Sequence, residues 1–146
     1  MLVADDDAMS LEFCCCILDD LGMRTKGVSN GTQAVQEVVL RHEQRKDFFA
    51  CIIDWKMPDM DGIATTRAIR KAVGNEVPII IISAYDWSDI EQEARAAGAN
   101  AFISKPMFRS RLAKTFYTLL GDEEPQELLV PLDLKILAKT LNKWLR

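Results

Sequence analysis

The chain is poor in the residues that build most catalytic and metal sites. It has a single histidine, His42, in 146 residues. That excludes multi-histidine metal sites and argues against a Ser-His-Asp arrangement. The four cysteines (Cys14, Cys15, Cys16 and Cys51) have no CxxC spacing. With no secretion signal, they fit a reducing, cytoplasmic setting better than a disulfide framework. No block of Lys and Arg is present, so nucleic acid is not an expected partner. No run of 18 or more apolar residues exists, so no membrane segment is expected. Acids follow the first four residues at once and no cationic stretch precedes them, which is no signal peptide. No GxGxxG follows the first apolar run, which disfavours a dinucleotide-binding fold.

What is present is an ordinary globular composition: 49% apolar, 27% charged and a net charge of −4. Apolar content of this order excludes a disordered chain, and the length supports one domain with an appendage. Short apolar runs alternate with amphipathic stretches through the first 120 residues. Met1–Ala4 reads as a strand. Leu11, Cys14, Cys15, Leu18 and Leu21 fall at helical spacing, closed by Gly22. A short strand over Arg24–Val28 precedes a helix with Ala34, Val35, Val38 and Val39 on one face. Phe49–Ile53 is a buried strand ending at Asp54, followed by a loop marked by Pro58 and Gly62 and a helix over Ile63–Val73. Pro78–Ser83 is apolar on both faces, the pattern of a central parallel strand covered by helices. A helix over Trp87–Ala97, a strand over Ala101–Ile103 and a helix over Arg109–Leu120 complete five β/α units. The fold predicted is an α/β, doubly wound, five-stranded parallel sheet (flavodoxin-like), with an extra C-terminal helix.

Open sheets of this kind bind ligands beyond the carboxyl ends of their strands. Asp5 and Asp6, Asp54, Ser83 and Lys105 stand at four of those ends. Three converging carboxylates repel one another and call for a cation or raised pKa values. Oxygen-only ligands favour a hard divalent ion, Mg²⁺ or in its place Mn²⁺. Single residues have blander readings. A strand-end Asp can simply cap the next helix. Cys14-Cys15-Cys16 point about 100° apart on a helix and suit packing better than a shared ion. His42 reads as helix surface and Trp55 as half-exposed.

The anchors Asp5-Asp6, Asp54-Trp55-Lys56-Met57-Pro58-Asp59-Met60-Asp61-Gly62, Ser83-Ala84 and Lys105-Pro106 resemble those of the receiver domain of two-component response regulators, over roughly residues 1–121. The stretch from Ser83 to Lys105 looks most like receivers carried by hybrid sensor histidine kinases. The resemblance implies that Asp54 is the phosphoacceptor, taking a phosphoryl group from the phosphohistidine of a histidine kinase or phosphotransfer domain. It implies Asp6 as a direct Mg²⁺ ligand, Asp5 acting mainly through water, and Asp54 with the Lys56 backbone carbonyl completing the set. Lys105 would neutralise phosphoryl charge, and Ser83 would bond the new phosphate. Phe102 would then rotate inward, so that the face of the fourth helix, fifth strand and fifth helix reports the change. Lys56 and Tyr85 hold the positions that tune water access to the aspartyl phosphate, and their bulk suggests slow self-hydrolysis. The Lys105–Pro106 bond is cis in this family. No metabolic turnover is expected, only self-catalysed phosphorylation and dephosphorylation.

Two rival functions remain from the sequence: a degenerate receiver used as a phosphorylation-independent binding module, and a haloacid dehalogenase-like phosphatase. The latter wants a second Asp two residues after its nucleophile, where this chain has Lys56.

The remainder divides into an acidic linker (122–131) and an amphipathic helix (132–146) with Asp133 as N-cap and Leu134, Leu137, Leu141, Trp144 and Leu145 in one stripe. Pro106, Leu112, Ala113, Lys114, Thr115 and Leu120 recur 25 residues later as Pro131, Leu137, Ala138, Lys139, Thr140 and Leu145. The expectations for this helix are packing on the side of the fourth and fifth helices, a homodimer through that side or through the helix itself, or a linker from a longer parent.

Overall fold

The computed structural model describes residues 1–84 and 88–120. Tyr85, the acidic linker and the C-terminal amphipathic segment lie outside the described residues. The elements alternate without exception: β1 (Leu2–Ala4), α1 (Ala8–Asp20), β2 (Lys26–Val28), α2 (Gly31–Glu43), β3 (Cys51–Asp54), α3 (Gly62–Val73), β4 (Ile79–Ser83), α4 (Glu91–Ala97), β5 (Ala101–Ser104) and α5 (Arg109–Leu120). All strand pairs are parallel, in the order β2-β1-β3-β4-β5. Strand order reverses between β1 and β3, which makes their carboxyl ends the crevice of the sheet.

The sheet separates two apolar layers. Ile80 and Ile82 pack on one face with Leu18, Ile103, Leu112 and Phe116. Ile79 and Ile81 pack on the other with Ala34, Val38, Ile53 and Ile69. The unbroken isoleucine run of β4 is thus what a strand with two buried faces requires. Phe116 meets Phe49 edge to face at 5.8 Å, fixing α5 to the start of β3.

Helix starts follow capping chemistry. Asp7, Asn30 and Asp61 each accept a backbone N–H from the first turn of α1, α2 and α3. α4 starts at Glu91, later than the apolar pattern suggested. Residues 88–90 form a turn, and Ile90 offers no side-chain cap. Ser88 and Asp89 favour local side-chain bonds over helical ones, which delays the helix.

Gly31 illustrates how tightly α2 meets the loop after β3. A Cβ there would overlap Met60 Cγ and Thr65 Oγ1, and the residue is buried. Gly31→Ala is expected to lower stability by about 1–3 kcal/mol, as overpacking does. An unchanged midpoint in urea would show that Met60 swings away freely.

Candidate functional site

β1 runs straight into Asp5-Asp6-Asp7, and the three acids divide the work. Asp7 caps α1, accepting from Met9 N at 3.2 Å and from Ser10 Oγ at 3.0 Å. Asp5 is buried, 1% exposed, and its Oδ1 accepts the Asp7 N–H at 3.0 Å. Asp6 is exposed. β3 is in register with β1 and β4, and it delivers Asp54 beside this turn. Carboxylate oxygens of Asp5, Asp6 and Asp54 come within 4.8 Å of one another.

β5 brings Lys105 from the far side of β4. Its Nζ lies 3.0 Å from Asp5 Oδ2 and 3.4 Å from Asp54 Oδ2. Lys105 N donates to the Ser83 carbonyl at 2.8 Å, and the Lys105–Pro106 peptide bond is cis. Ser83 ends β4, buried, one residue beyond Ile82, the register partner of Asp54. All four strand-end anchors read from the sequence therefore lie along one edge.

Electrostatics at this edge are set by burial. Desolvation, then the neighbouring Asp5 charge, pushes Asp54 up to about 6, with Lys105 pulling against both. Burial by itself lowers Lys105, but its bonds and charge pairing with Asp5 and Asp54 more than reverse that, and its pKa is raised. An excess of carboxylate over ammonium remains in a recess. That donor set, all oxygen and net negative, fits a hard divalent cation. Asp5, Asp6 and Asp54 are the side chains that would hold it.

The loop after Asp54 is braced rather than loose. Asp59 accepts from Gly31 N at 3.2 Å, Thr32 N at 3.0 Å and Thr32 Oγ1 at 2.8 Å. Slight desolvation raises the Asp59 pKa, but the Thr32, Met60 and Gly31 donors outweigh it and lower it to about 2. A Cβ on Gly62 would lie 2.8 Å from the Asp54 carbonyl oxygen, so the α3 start can approach the Asp54 backbone only as glycine. Lys56 is exposed, with Nζ 4.9 Å from the centre of the half-buried Trp55 ring. Phe102 is half-buried on β5, and the Arg95 guanidinium lies 5.1 Å from its ring centre. Glu91 holds Arg95 at 3.0 Å.

Other candidates stand apart from the edge. Cys14, Cys15 and Cys16 are buried, half-buried and exposed in turn, as three directions around a helix demand. Burial pushes the Cys14 and Cys51 thiols up to about 12, which leaves them unreactive at neutral pH. His42 is exposed and bonded to Asp47 at 3.0 Å. Among the described residues no helix is long and apolar enough to cross a membrane.

A five-stranded parallel sheet in the order β2-β1-β3-β4-β5, with Asp5, Asp6, Asp54 and Lys105 gathered at the carboxyl ends of its strands, defines a doubly wound α/β domain of the flavodoxin-like class. The response regulator receiver domain family matches residues 1–117, and the chain belongs to that family. The transcriptional regulatory protein ZraR of Escherichia coli is 33% identical over 121 residues, which cover 83% of this chain and 26% of ZraR. This chain therefore spans about a quarter of the length of that relative. Among solved structures, the receiver domain of the sensor histidine kinase PA1611 from Pseudomonas aeruginosa matches with a TM-score of 0.72 and 29% identity, covering 83% of this chain and 96% of that one. That structure holds a magnesium ion in its active-site cleft. The receiver domain of the histidine kinase CKI1 from Arabidopsis thaliana matches with a TM-score of 0.72 and 29% identity, covering 83% and 89%.

Proposed function

We propose that this receiver domain accepts a phosphoryl group on Asp54 from the phosphohistidine of a kinase or phosphotransfer domain, in a Mg²⁺-dependent step of a cytoplasmic phosphorelay. The observation that carries the proposal is the Lys105 ammonium, 3.0 Å from Asp5 and 3.4 Å from Asp54 at the sheet's switch point. Asp54 is the nucleophile. One of its carboxylate oxygens forms the new P–O bond, while the P–N bond of phosphohistidine breaks and its electron pair stays on the imidazole. With a pKa of about 6, Asp54 is largely ionised at neutral pH and still basic enough to attack. Lys105 offsets charge on the phosphoryl oxygens from a fixed position. Bound Mg²⁺ would add to that charge neutralisation, held by Asp5, Asp6, Asp54 and the Lys56 backbone carbonyl.

Ser83 would bond the incoming phosphate, and Phe102 would follow it inward. The exposed face of α4, β5 and α5 would report the change to a partner or to a second copy. Lys56, and Tyr85 outside the described residues, would limit water at the aspartyl phosphate.

The test is intact mass after incubation with a small phosphodonor and Mg²⁺, alongside Trp55 fluorescence during titration with Mg²⁺ and then beryllofluoride. One added phosphoryl group per chain, absent in Asp54→Ala, is the expected result. No mass gain in the wild type, or an undiminished gain in Asp54→Ala, refutes the proposal. Catalytic release of many phosphate equivalents from a phosphomonoester would indicate a phosphatase instead.

A further inference from the structure

The loop between Asp54 and α3 carries an acid that belongs neither to the site nor to the helix that follows. At the near end of the loop, Trp55 N donates to the Ile82 carbonyl at 2.9 Å and Gly62 N to the Trp55 carbonyl at 2.8 Å. At the far end, Asp61 accepts from Ala64 N at 2.8 Å and caps α3. Between these anchors Met57 is buried, whereas Lys56, Pro58 and Asp59 are exposed. The acids that gather at the site, among the described residues, are Asp5, Asp6 and Asp54. Asp59 turns instead to the first turn of α2. Its Oδ1 accepts from Gly31 N at 3.2 Å, and its Oδ2 from Thr32 N at 3.0 Å and Thr32 Oγ1 at 2.8 Å.

Helix α2 gains little from these bonds, because it carries its own cap. Asn30 Oδ1 accepts from Gln33 N at 2.8 Å, and Gln33 Oε1 accepts from Ser29 N at 3.1 Å, in the manner of a capping box. Thr32 is exposed, so water would satisfy its N–H and hydroxyl if Asp59 were removed. What the three bonds fix is the loop. Bonds to an ionised carboxylate are the strong kind. Met60, the next residue, fills the space beside Gly31, so polar and apolar contacts hold the loop tip to the same turn.

We infer that Asp59 is a positioning residue for the cation: by tying the loop tip to α2, it holds in place the segment that carries the Lys56 backbone carbonyl. The inference rests on the Mg²⁺ part of the reading above. The chain has little slack here. Lys56 directly follows the anchored Trp55 and lies three residues before Asp59, and each residue spans at most about 3.6 Å. Mg²⁺ demands near-ideal octahedral geometry, so a ligand that drifts is a ligand lost. Releasing the tip therefore weakens the metal. Asp54 and Lys105 are unaffected, because β3 and the end of β5 hold them.

The experiment titrates the wild type, Asp59→Ala, Asp59→Asn and Thr32→Val with Mg²⁺, followed by Trp55 fluorescence. Phosphoryl uptake from a small phosphodonor is then measured at limiting and at saturating Mg²⁺. The Mg²⁺ midpoint of Asp59→Ala is expected to rise about tenfold, as it does when a group that orients a ligand is lost. Uptake by this variant should fall by a similar factor at limiting Mg²⁺ and recover at saturating Mg²⁺. Asp59→Asn keeps one acceptor oxygen and should fall between the two. Thr32→Val removes a single bond and should raise the midpoint by roughly threefold. Circular dichroism checks that each variant is folded at the assay temperature. A folded Asp59→Ala with the wild-type midpoint overturns the inference, as does an uptake defect that persists at saturating Mg²⁺. If Asp59→Ala does not fold, an unchanged midpoint in Thr32→Val overturns it alone. No Mg²⁺ response in the wild type overturns both the inference and the metal reading beneath it. If the midpoints shift and no protein takes up phosphate, the phosphoacceptor reading fails while the positioning role stands.

Discussion

Asp54→Asn is expected to abolish phosphoryl uptake and, in the metal-free protein at neutral pH, to make the domain more stable. The two effects have one cause. Asp54 is buried, 6% exposed, beside the Asp5 carboxylate, with one ammonium between them. Its pKa is raised from 3.8 to about 6. A carboxylic acid whose folded pKa exceeds its unfolded one binds its proton more tightly in the folded state. Folding therefore loses stability as pH rises from about 4 to about 6, and the loss persists above that. The shift corresponds to on the order of 3 kcal/mol at neutral pH. Asparagine keeps the shape and removes the titration. The stability gap between variant and wild type should be near zero below pH 4, open through pH 4–6 and stay constant above it. Chemical denaturation across that range measures it. Adding Mg²⁺ should narrow the gap, because a cation held by three carboxylates stabilises the wild type by mass action and the variant less. A gap that is flat with pH would mean that Asp54 carries no such repulsion. A gap that opens through pH 4–6 makes the gain in stability and the loss of function the usual exchange at a site kept under strain for its chemistry.

The parts of this site legible in the sequence are those whose position along a strand fixes their position in space. β4 is Ile79 to Ser83, apolar on every residue, and only a central parallel strand buries both faces. Once it is placed, Asp54, Ser83 and Lys105 follow, because each ends an apolar run. Local chemistry also sets where helices begin: Asn30 and Asp61 accept first-turn N–H groups of α2 and α3. What was not legible depends on partners far apart in the chain. In the sequence Asp59 is only part of the loop after Asp54, yet it ties that loop to Gly31 and Thr32, 28 and 27 positions away. Gly31 reads as a helix opener, although it is needed because Met60 and Thr65 occupy the space of a side chain. Arg70, on α3, carries no sign in its sequence neighbours of what it holds. Its guanidinium donates to the carbonyls of Gly74, Val77 and Gly98 and to Asn100 Oδ1, which in turn accepts from Ile79 N. One charged side chain thereby ties together the amino-terminal ends of β4 and β5. The resemblance separates Asp5 from Asp6 as metal ligands, but three identical residues carry no internal sign that Asp7 will cap α1 and that Asp5 will be buried against Lys105.

Lys105→Met is the complementary change, and its effect should be opposite in sign. Methionine retains most of the stem and removes the ammonium that separates Asp5 from Asp54. Lys105 is 20% exposed at its side chain, against 1% for Asp5 and 8% for Asp54, so little water is available to screen the two carboxylates. Breaking a buried pair by removing one partner costs about 3–5 kcal/mol. The recess is partly open here and Asp54 can take up a proton, so a loss of about 2–4 kcal/mol at pH 7 is expected without metal. The loss should shrink toward pH 5, because without Lys105 the Asp54 pKa rises further and the neutral acid is tolerated. In the wild type, the raised Lys105 pKa contributes stability that is fully present below its ordinary 10.5 and disappears only as pH climbs through the higher folded value. The alkaline limb of the wild-type stability curve should therefore be displaced upward, and the variant should lack it. Phosphoryl uptake should fall by roughly a hundredfold or more, since a fixed cation at the transferring group is lost. The discriminating measurement is a double-mutant cycle with Asp54→Asn. If Lys105 acts by offsetting the Asp54 charge, the methionine substitution costs less in the asparagine background than in the wild type, and the difference is the coupling energy. Equal cost in both backgrounds would assign the stabilising role of Lys105 to Asp5 alone and leave its effect on phosphoryl uptake as a separate, purely catalytic one.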